Sequence, residues 1–149
     1  MTEKYYINSD ITKAETLPAL FYKDQKTFEA LKENVFLKSW QFVGDQNLVR
    51  LPQSVHPFVL LDAFLTDPMV LTRDKDDRIS CLTNVCTHRG NVVAIHSGKS
   101  KKLTGMYHGR RFNLNGEFEH MPEFNDAKNF PRPGDNLHQF PLRKLGPLL

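Results

Sequence analysis

Cysteine is scarce in this chain: Cys81 and Cys86 are the only two in 149 residues. Two thiols close together around one expected strand make no disulfide framework, and they suit a reducing compartment. Long apolar runs are lacking too, and none approaches the roughly 18 residues of a membrane-spanning helix. The opening MTEKYYINSDITKAETLPAL is polar and lacks the apolar segment of a signal peptide. The chain therefore reads as cytoplasmic, with no membrane role. No internal repeat and no low-complexity segment stands out. Acid is missing from one stretch: Lys99 to Arg111 holds five cations (Lys99, Lys101, Lys102, Arg110, Arg111) and no Asp or Glu. The overall charge of +3 is too small to imply nucleic acid. The nearby aromatics, Tyr107 and Phe112, belong to an expected loop and strand and do not form a stacking surface.

What is present describes an ordinary folded domain. Hydrophobic residues make up 40% and charged residues 25%, both usual for a water-soluble domain. A single domain of this length buries roughly 68–70% of its unfolded surface, so it needs no crosslink merely to fold. Eleven Phe, nine Pro and eight Gly favour strands and turns over a helical bundle.

Residues 1–39 read as a lead-in and one helix. Asp24 is an expected N-cap. TFEALKENVFLKS (27–39) then shows helical spacing, with Phe28, Leu31, Val35 and Phe36 or Leu37 on the buried side. Trp40 is expected in the core. Residues 40–149 change to short apolar runs between turn residues. Expected strands are Trp40–Val43, Leu48–Arg50, Phe58–Ala63, Met69–Arg73, Ile79–Val85, Lys102–Met106, Arg111–Leu114, Glu117–Phe118 and Phe140–Leu142. DKDD (74–77) reads as a hairpin turn, and Asn115-Gly116 as a tight left-handed one. This pattern predicts a mainly β fold, an antiparallel sandwich or partial barrel. The ending LGPLL (145–149) is apolar, which suggests that more chain follows.

Two loops carry the chemistry. NVCTHRG (84–90) places Cys86 two residues before His88. LTGMYHGRRF (103–112) places Gly105 three residues before His108. Read together they give C-x-H, 16 residues, then G-x-x-H. With cysteine in place of Gly105, this is the ligand spacing of a Rieske [2Fe–2S] centre, in which two cysteines hold one iron and two histidines the other. Gly90 and Gly109 permit sharp reversals beside the candidate ligands. His56, His96, His120 and His138 lack partners at ligand spacing and read as structural or surface histidines. Cys81 reads as a small buried hydrophobe.

The words around these loops extend the pattern: TLPALFYKD, FLKSWQFVGD, NVCTHRGN, YHGRRFNLNGEF, MPEFNDAKNFPRPGDNL and FPLRKLGPL. From about Leu17 to Leu149 the chain resembles the Rieske domain of the α-subunit family of aromatic-ring-hydroxylating oxygenases. The resemblance implies a β-rich domain with a two-loop cluster-binding subdomain and one N-terminal helix. It implies Cys86, His88 and His108 as ligands of the cluster. It also implies an electron supplied by a ferredoxin or reductase and passed on to a mononuclear non-haem iron in a following catalytic domain, which activates O₂. That domain is not in this sequence, so the chain alone is not expected to catalyse. Family members are often homotrimers. The cations at 99–111 either steer an acidic ferredoxin or form a solvated loop.

The chain departs from the family at three positions. Met106 stands where proline is frequent and Arg110 where tryptophan is frequent. Gly105 stands where the second cysteine ligand belongs, and glycine has nothing to ligate with. Three readings of the centre stay open. The site is empty, or Cys86, His88 and His108 hold one metal ion with a water, or an impaired cluster binds through three ligands. Correspondingly, the domain is either an electron relay weakened at Gly105 or a metal-free scaffold of the same fold.

Overall fold

The computed structural model describes residues 5–62 and 64–149. Met1–Lys4 lie outside it, and so does Ala63, the last residue of the expected strand Phe58–Ala63. By internal contacts the chain divides into two units, Met1–Gln41 and Phe42–Leu149.

The first unit holds a 3-10 turn at Ala19–Tyr22, the helix α1 (Gln25–Asn34) and a second 3-10 turn at Phe36–Lys38. Asp24 caps α1 as expected: its carboxylate accepts from Thr27 N at 2.7 Å and from Thr27 Oγ1 at 2.8 Å. The helix begins two residues earlier than the spacing suggests and stops at Asn34. There the β-branched Val35 takes over as C-cap, and Phe36–Leu37–Lys38 tighten into the 3-10 turn. The expected buried face is not enclosed. Leu31 is half-buried, while Phe28, Val35, Phe36, Leu37 and Trp40 are exposed. One ten-residue helix with two short turns is too small to wrap so many apolar side chains. A groove in this unit is lined by Tyr5, Phe21, Leu31 and Val35, among others. Its lining includes no thiol or imidazole.

The second unit consists of two antiparallel sheets. The strands are β1 (Ser54–Val59), β2 (Pro68–Arg73), β3 (Ile79–Thr83), β4 (Gly98–Lys99), β5 (Leu103–Thr104), β6 (Arg111–Phe112), β7 (Phe118–His120) and β8 (Gln139–Phe140). The larger sheet runs β4-β1-β2-β3-β8 and the smaller β5-β6-β7. The mainly β antiparallel fold is as expected, and no closed barrel forms among the described residues. Alternation along β2 and β3 feeds two cores, because successive side chains point to opposite faces. Val70 and Leu82 join Val55, Leu103, Phe112, Leu114 and Leu137 in one core, to which both sheets contribute. Met69, Leu71 and Cys81 join Val49 and Leu149 in the other.

Several expected strands take a different form. Leu48–Arg50 lies instead at the end of a 3-10 turn, Gln46–Val49, because Asp45 caps it by accepting from Asn47 N at 2.7 Å. Near the expected strand Trp40–Val43 the chain pairs only locally: Val43 N donates to Leu149 O at 3.1 Å, and Asp45 bridges Leu148. The first long strand begins at Ser54 and ends at Val59, so it lies N-terminal to the expected 58–63. The short β4 had no signal in the sequence. At DKDD the turn forms as expected, closed by Asp74 N to Arg78 O at 3.0 Å and by the left-handed Asp77 at φ 64°. In the Asn115-Gly116 turn only Gly116 is left-handed, at φ 88°. The side chain of Asn115 accepts from Glu117 N at 3.1 Å instead.

Candidate metal centre

The first loop leaves β3 and returns toward β4. Asn84, which is buried, shapes it from within. Its amide donates to Ala94 O and accepts from Ala94 N, both at 2.8 Å, so one side chain substitutes for a strand partner. The tip then closes on itself: Cys86 N donates to Asn91 O at 2.7 Å and Gly90 N to Cys86 O at 3.1 Å. Gly90 takes φ 71°, which a side chain would resist. The second loop joins β5 to β6. Gly105 N donates to Arg110 O at 2.8 Å, and Gly109 N, at φ 70°, donates to Gly105 O at 3.0 Å. At their bases the loops meet through Thr104 N and Val93 O at 3.3 Å.

These turns bring the four singled-out residues to one small pocket, lined by Cys86, His88, Gly105, Tyr107, His108 and Arg110 among others. Cys86 and Gly105 form its buried inner side. His88 and His108 are half-buried, their ring centroids 4.6 Å apart with planes at 70°. The Tyr107 ring leans against His108, centroids 3.8 Å apart and planes at 46°. Desolvation holds the His88 imidazole below the ordinary histidine value, and the positive charges of His108, Arg89 and Arg110 add to this. The neutral ring is the form that ligates metal. Burial pushes the Cys81 thiol up to about 11, so this second cysteine stays a protonated core residue on β3.

The inner side tests whether a two-iron cluster fits these residues. A β-carbon built at Gly105 would lie 2.9 Å from Cys86 Sγ and 3.4 Å from Cys86 Cβ. A side chain at position 105 would therefore project onto the Cys86 thiol, as the second of two thiolates sharing one iron would. At that distance the Cys86 side chain would have to shift, and the donor set is incomplete. The residues present supply one sulfur and two imidazoles against the cluster's two and two. Among the described residues no group of three or more His, Cys, Asp or Glu is gathered closely enough to hold a single ion.

The sequence does not reveal the roles of two residues. Arg110 reads there as one of five cations in an acid-free stretch, yet only 3% of it is exposed. Its Nη2 donates to Asp135 Oδ1 at 2.5 Å. The guanidinium lies 5.1 Å from the Phe118 ring, 5.5 Å from Phe130 and 5.8 Å from Phe112. Lys102 is paired as well, with Glu119 at 2.5 Å. The apparent cationic stretch is therefore partly folded into ion pairs, although Lys102 stays exposed with Lys99, Lys101 and Arg111. Asp135 is the second residue. A Pro-Gly-Asp sequence reads as loop, and only the fold reveals that it meets an arginine 25 residues earlier.

Comparison with known proteins agrees with this geometry. The family model described as the Rieske [2Fe–2S] domain matches residues 39–131. The oxygenase subunit of carnitine monooxygenase from Escherichia coli K12 is 34% identical over 132 residues, covering 88% of this chain and 34% of that protein. The large oxygenase component of the naphthalene 1,2-dioxygenase system from Pseudomonas putida is 29% identical over 104 residues, 69% of this chain and 22% of that one. Among solved structures, the quaternary ammonium Rieske monooxygenase CntA in complex with L-carnitine superposes with a TM-score of 0.80 at 26% identity. The match covers 91% of this chain and 38% of that one. The chain spans about a third of the length of the first of these relatives.

Proposed function

Because this chain belongs to the Rieske [2Fe–2S] domain family, we propose that it is the electron-relay domain of a Rieske oxygenase subunit, impaired at Gly105. The supporting observation is the two-loop pocket, with Cys86 facing Gly105 on the inner side and His88 beside His108 on the outer. In this reading Cys86, His88 and His108 are the cluster ligands this copy retains, and Gly105 occupies the position of the fourth. When bound, such a cluster passes single electrons at a raised potential, because neutral imidazoles replace two thiolates.

The chain's own residues prepare the site. Asn84 and Gly90 fold the first loop so that the Cys86 thiol points inward. Gly109 reverses the second loop so that His108 stands beside His88. Desolvation, with the charges of neighbouring groups, lowers the His88 pKa and so favours its neutral ring. No electron step is derived through Gly105, since nothing there can hold iron. The proposed donor is a ferredoxin or reductase. The proposed acceptor is a mononuclear non-haem iron in a catalytic domain beyond this stretch, within a homotrimeric, cytoplasmic enzyme. Among the described residues no helix is long and apolar enough to cross a membrane.

A second reading is that the domain is a metal-free scaffold. The missing donor at Gly105 supports it. Anaerobic reconstitution with iron and sulfide separates the two. The relay reading predicts a reddish-brown protein and a Rieske-type EPR signal after reduction once Gly105→Cys supplies the donor. A parent chain that stays colourless, with neither iron nor sulfide, would sink the relay reading for this copy and leave the scaffold.

A further inference from the structure

We propose that Asp135 is a positioning residue that clasps both loops of the centre from a third segment, so that the loops are set in place before any metal arrives. The proposal does not rest on cluster binding.

Residues 132–140 form a strap anchored on both sheets. Asn136 Oδ1 accepts from Phe118 N at 2.8 Å, and Leu137 N donates to Gly116 O at 2.8 Å, which ties the strap to the β6–β7 hairpin. Thr83 N donates to His138 O at 2.9 Å, and β8 pairs with β3, which ties it to the larger sheet. A segment held this way can serve as a fixed post.

Asp135 makes three kinds of bond from that post. Its Oδ1 accepts from Arg110 Nη2 at 2.5 Å, which holds the second loop two residues beyond His108. Its backbone oxygen accepts from Thr87 Oγ1 at 2.7 Å, which holds the first loop between Cys86 and His88. Its Oδ2 accepts from Arg132 N at 2.7 Å, while Asp135 N donates to Arg132 O at 2.8 Å. The last two bonds close the turn that aims the Asp135 carbonyl at Thr87. The carboxylate thus fixes the second loop directly and the first through the orientation of its own backbone.

Burial makes the arrangement hard to exchange for water. Arg110 is enclosed by three aromatic rings, and its Nε has no hydrogen-bond partner. A buried cation with one nitrogen unsatisfied depends heavily on its remaining carboxylate partner. Arg110 is therefore held to Asp135, and the second loop moves with the strap.

Amide hydrogen exchange on the metal-free chain tests this. In Asp135→Ala the amides of Cys86 and Gly90 in the first loop, and of Gly105 and Gly109 in the second, should all exchange about tenfold faster, while Val70 and Leu82 in the central strands keep their protection. Asp135→Asn, which keeps one acceptor and the side-chain shape, should give a smaller change in the same four amides and covers the case in which the alanine variant does not fold. Thr87→Val should release the first loop alone. Faster exchange confined to the second loop in both Asp135 variants would overturn the clasp, and so would uniform acceleration across the sheets. Unchanged exchange at Cys86 and Gly90 in Thr87→Val would overturn it as well. None of these readouts depends on iron, so failure of the clasp and failure of the relay reading are separate outcomes.

Discussion

At the residue scale two places carry the account: Gly105, whose side chain is a single hydrogen, and the Arg110–Asp135 pair. Gly105 leaves the inner side of the centre with one sulfur, although its backbone directs a side chain onto the Cys86 thiol. In Gly105→Cys the Cys86 side chain must rotate slightly, since a β-carbon at 2.9 Å from its sulfur is too close. The same proximity favours, in air, a disulfide between Cys86 and the introduced thiol. Reduced variant should therefore load metal and oxidised variant should not. Thiol titration before reconstitution checks this. The Arg110–Asp135 pair is the other decisive contact. Removing Asp135 leaves a buried guanidinium without its charge partner and should cost about 3 kcal/mol, the lower end for such a change. Urea unfolding of Asp135→Ala measures it. The pair also carries a pH signature. Burial alone would raise the Asp135 carboxyl, but hydrogen bonds from Arg132 N and Arg110 and the charges of both arginines outweigh it and hold it below the usual carboxylate value. A carboxylate depressed on folding contributes stability that is fully present above about pH 3.9 and is lost as pH falls through its folded value. Acid unfolding of the parent chain should therefore show a component in that range that Asp135→Asn lacks.

At the scale of elements, the strands that could be read from the sequence were those with an unambiguous turn on one side. β2 and β3 lie close to their expected ranges because DKDD fixes the hairpin between them and the apolar residues alternate cleanly. The first long strand slipped toward the N-terminus because Phe58–Ala63 is apolar without alternation, and periodicity cannot place such a run. Leu48–Arg50 was lost to a cap: Asp45 satisfies the amides of a 3-10 turn, an effect that counting apolar residues cannot detect. The second hairpin was found through its glycine, and the structure explains why glycine is required. Gly116 combines φ 88° with a β-carbon position 3.0 Å from Leu82 Cδ2 and 3.4 Å from Leu137 Cβ. Gly116→Ala should therefore destabilise by more than about 1 kcal/mol. Phe112, fully buried on β6 beneath the second loop, should cost about 3–5 kcal/mol as Phe112→Ala. Thermal melts of the two variants check both values.

At the scale of the whole molecule, the centre was more legible than the frame that holds it. Cys86, His88 and His108 could be picked out because metal chemistry demands particular residue types at particular spacings, and the fold brings all three to one pocket with Gly105. Asn84, Thr87 and Asp135 could not, because a hydrogen bond to a backbone atom leaves no mark in a sequence, and Arg110 was marked only as a cation standing where tryptophan is frequent. The chain covers about a third of the carnitine monooxygenase subunit that it matches, and an active site outside these residues belongs to the proposal. The central claim is that this domain is a Rieske relay whose weakness is the missing donor at position 105. The most direct measurement is iron and acid-labile sulfide content, with EPR of the reduced state, on parent and Gly105→Cys chains reconstituted side by side under reducing conditions. The account predicts about two irons and two sulfides per chain with a Rieske-type signal in the cysteine variant, and a partly occupied cluster with a weaker signal of the same type in the parent. A parent chain that binds a full cluster as well as the variant would contradict it, as would a variant that binds none.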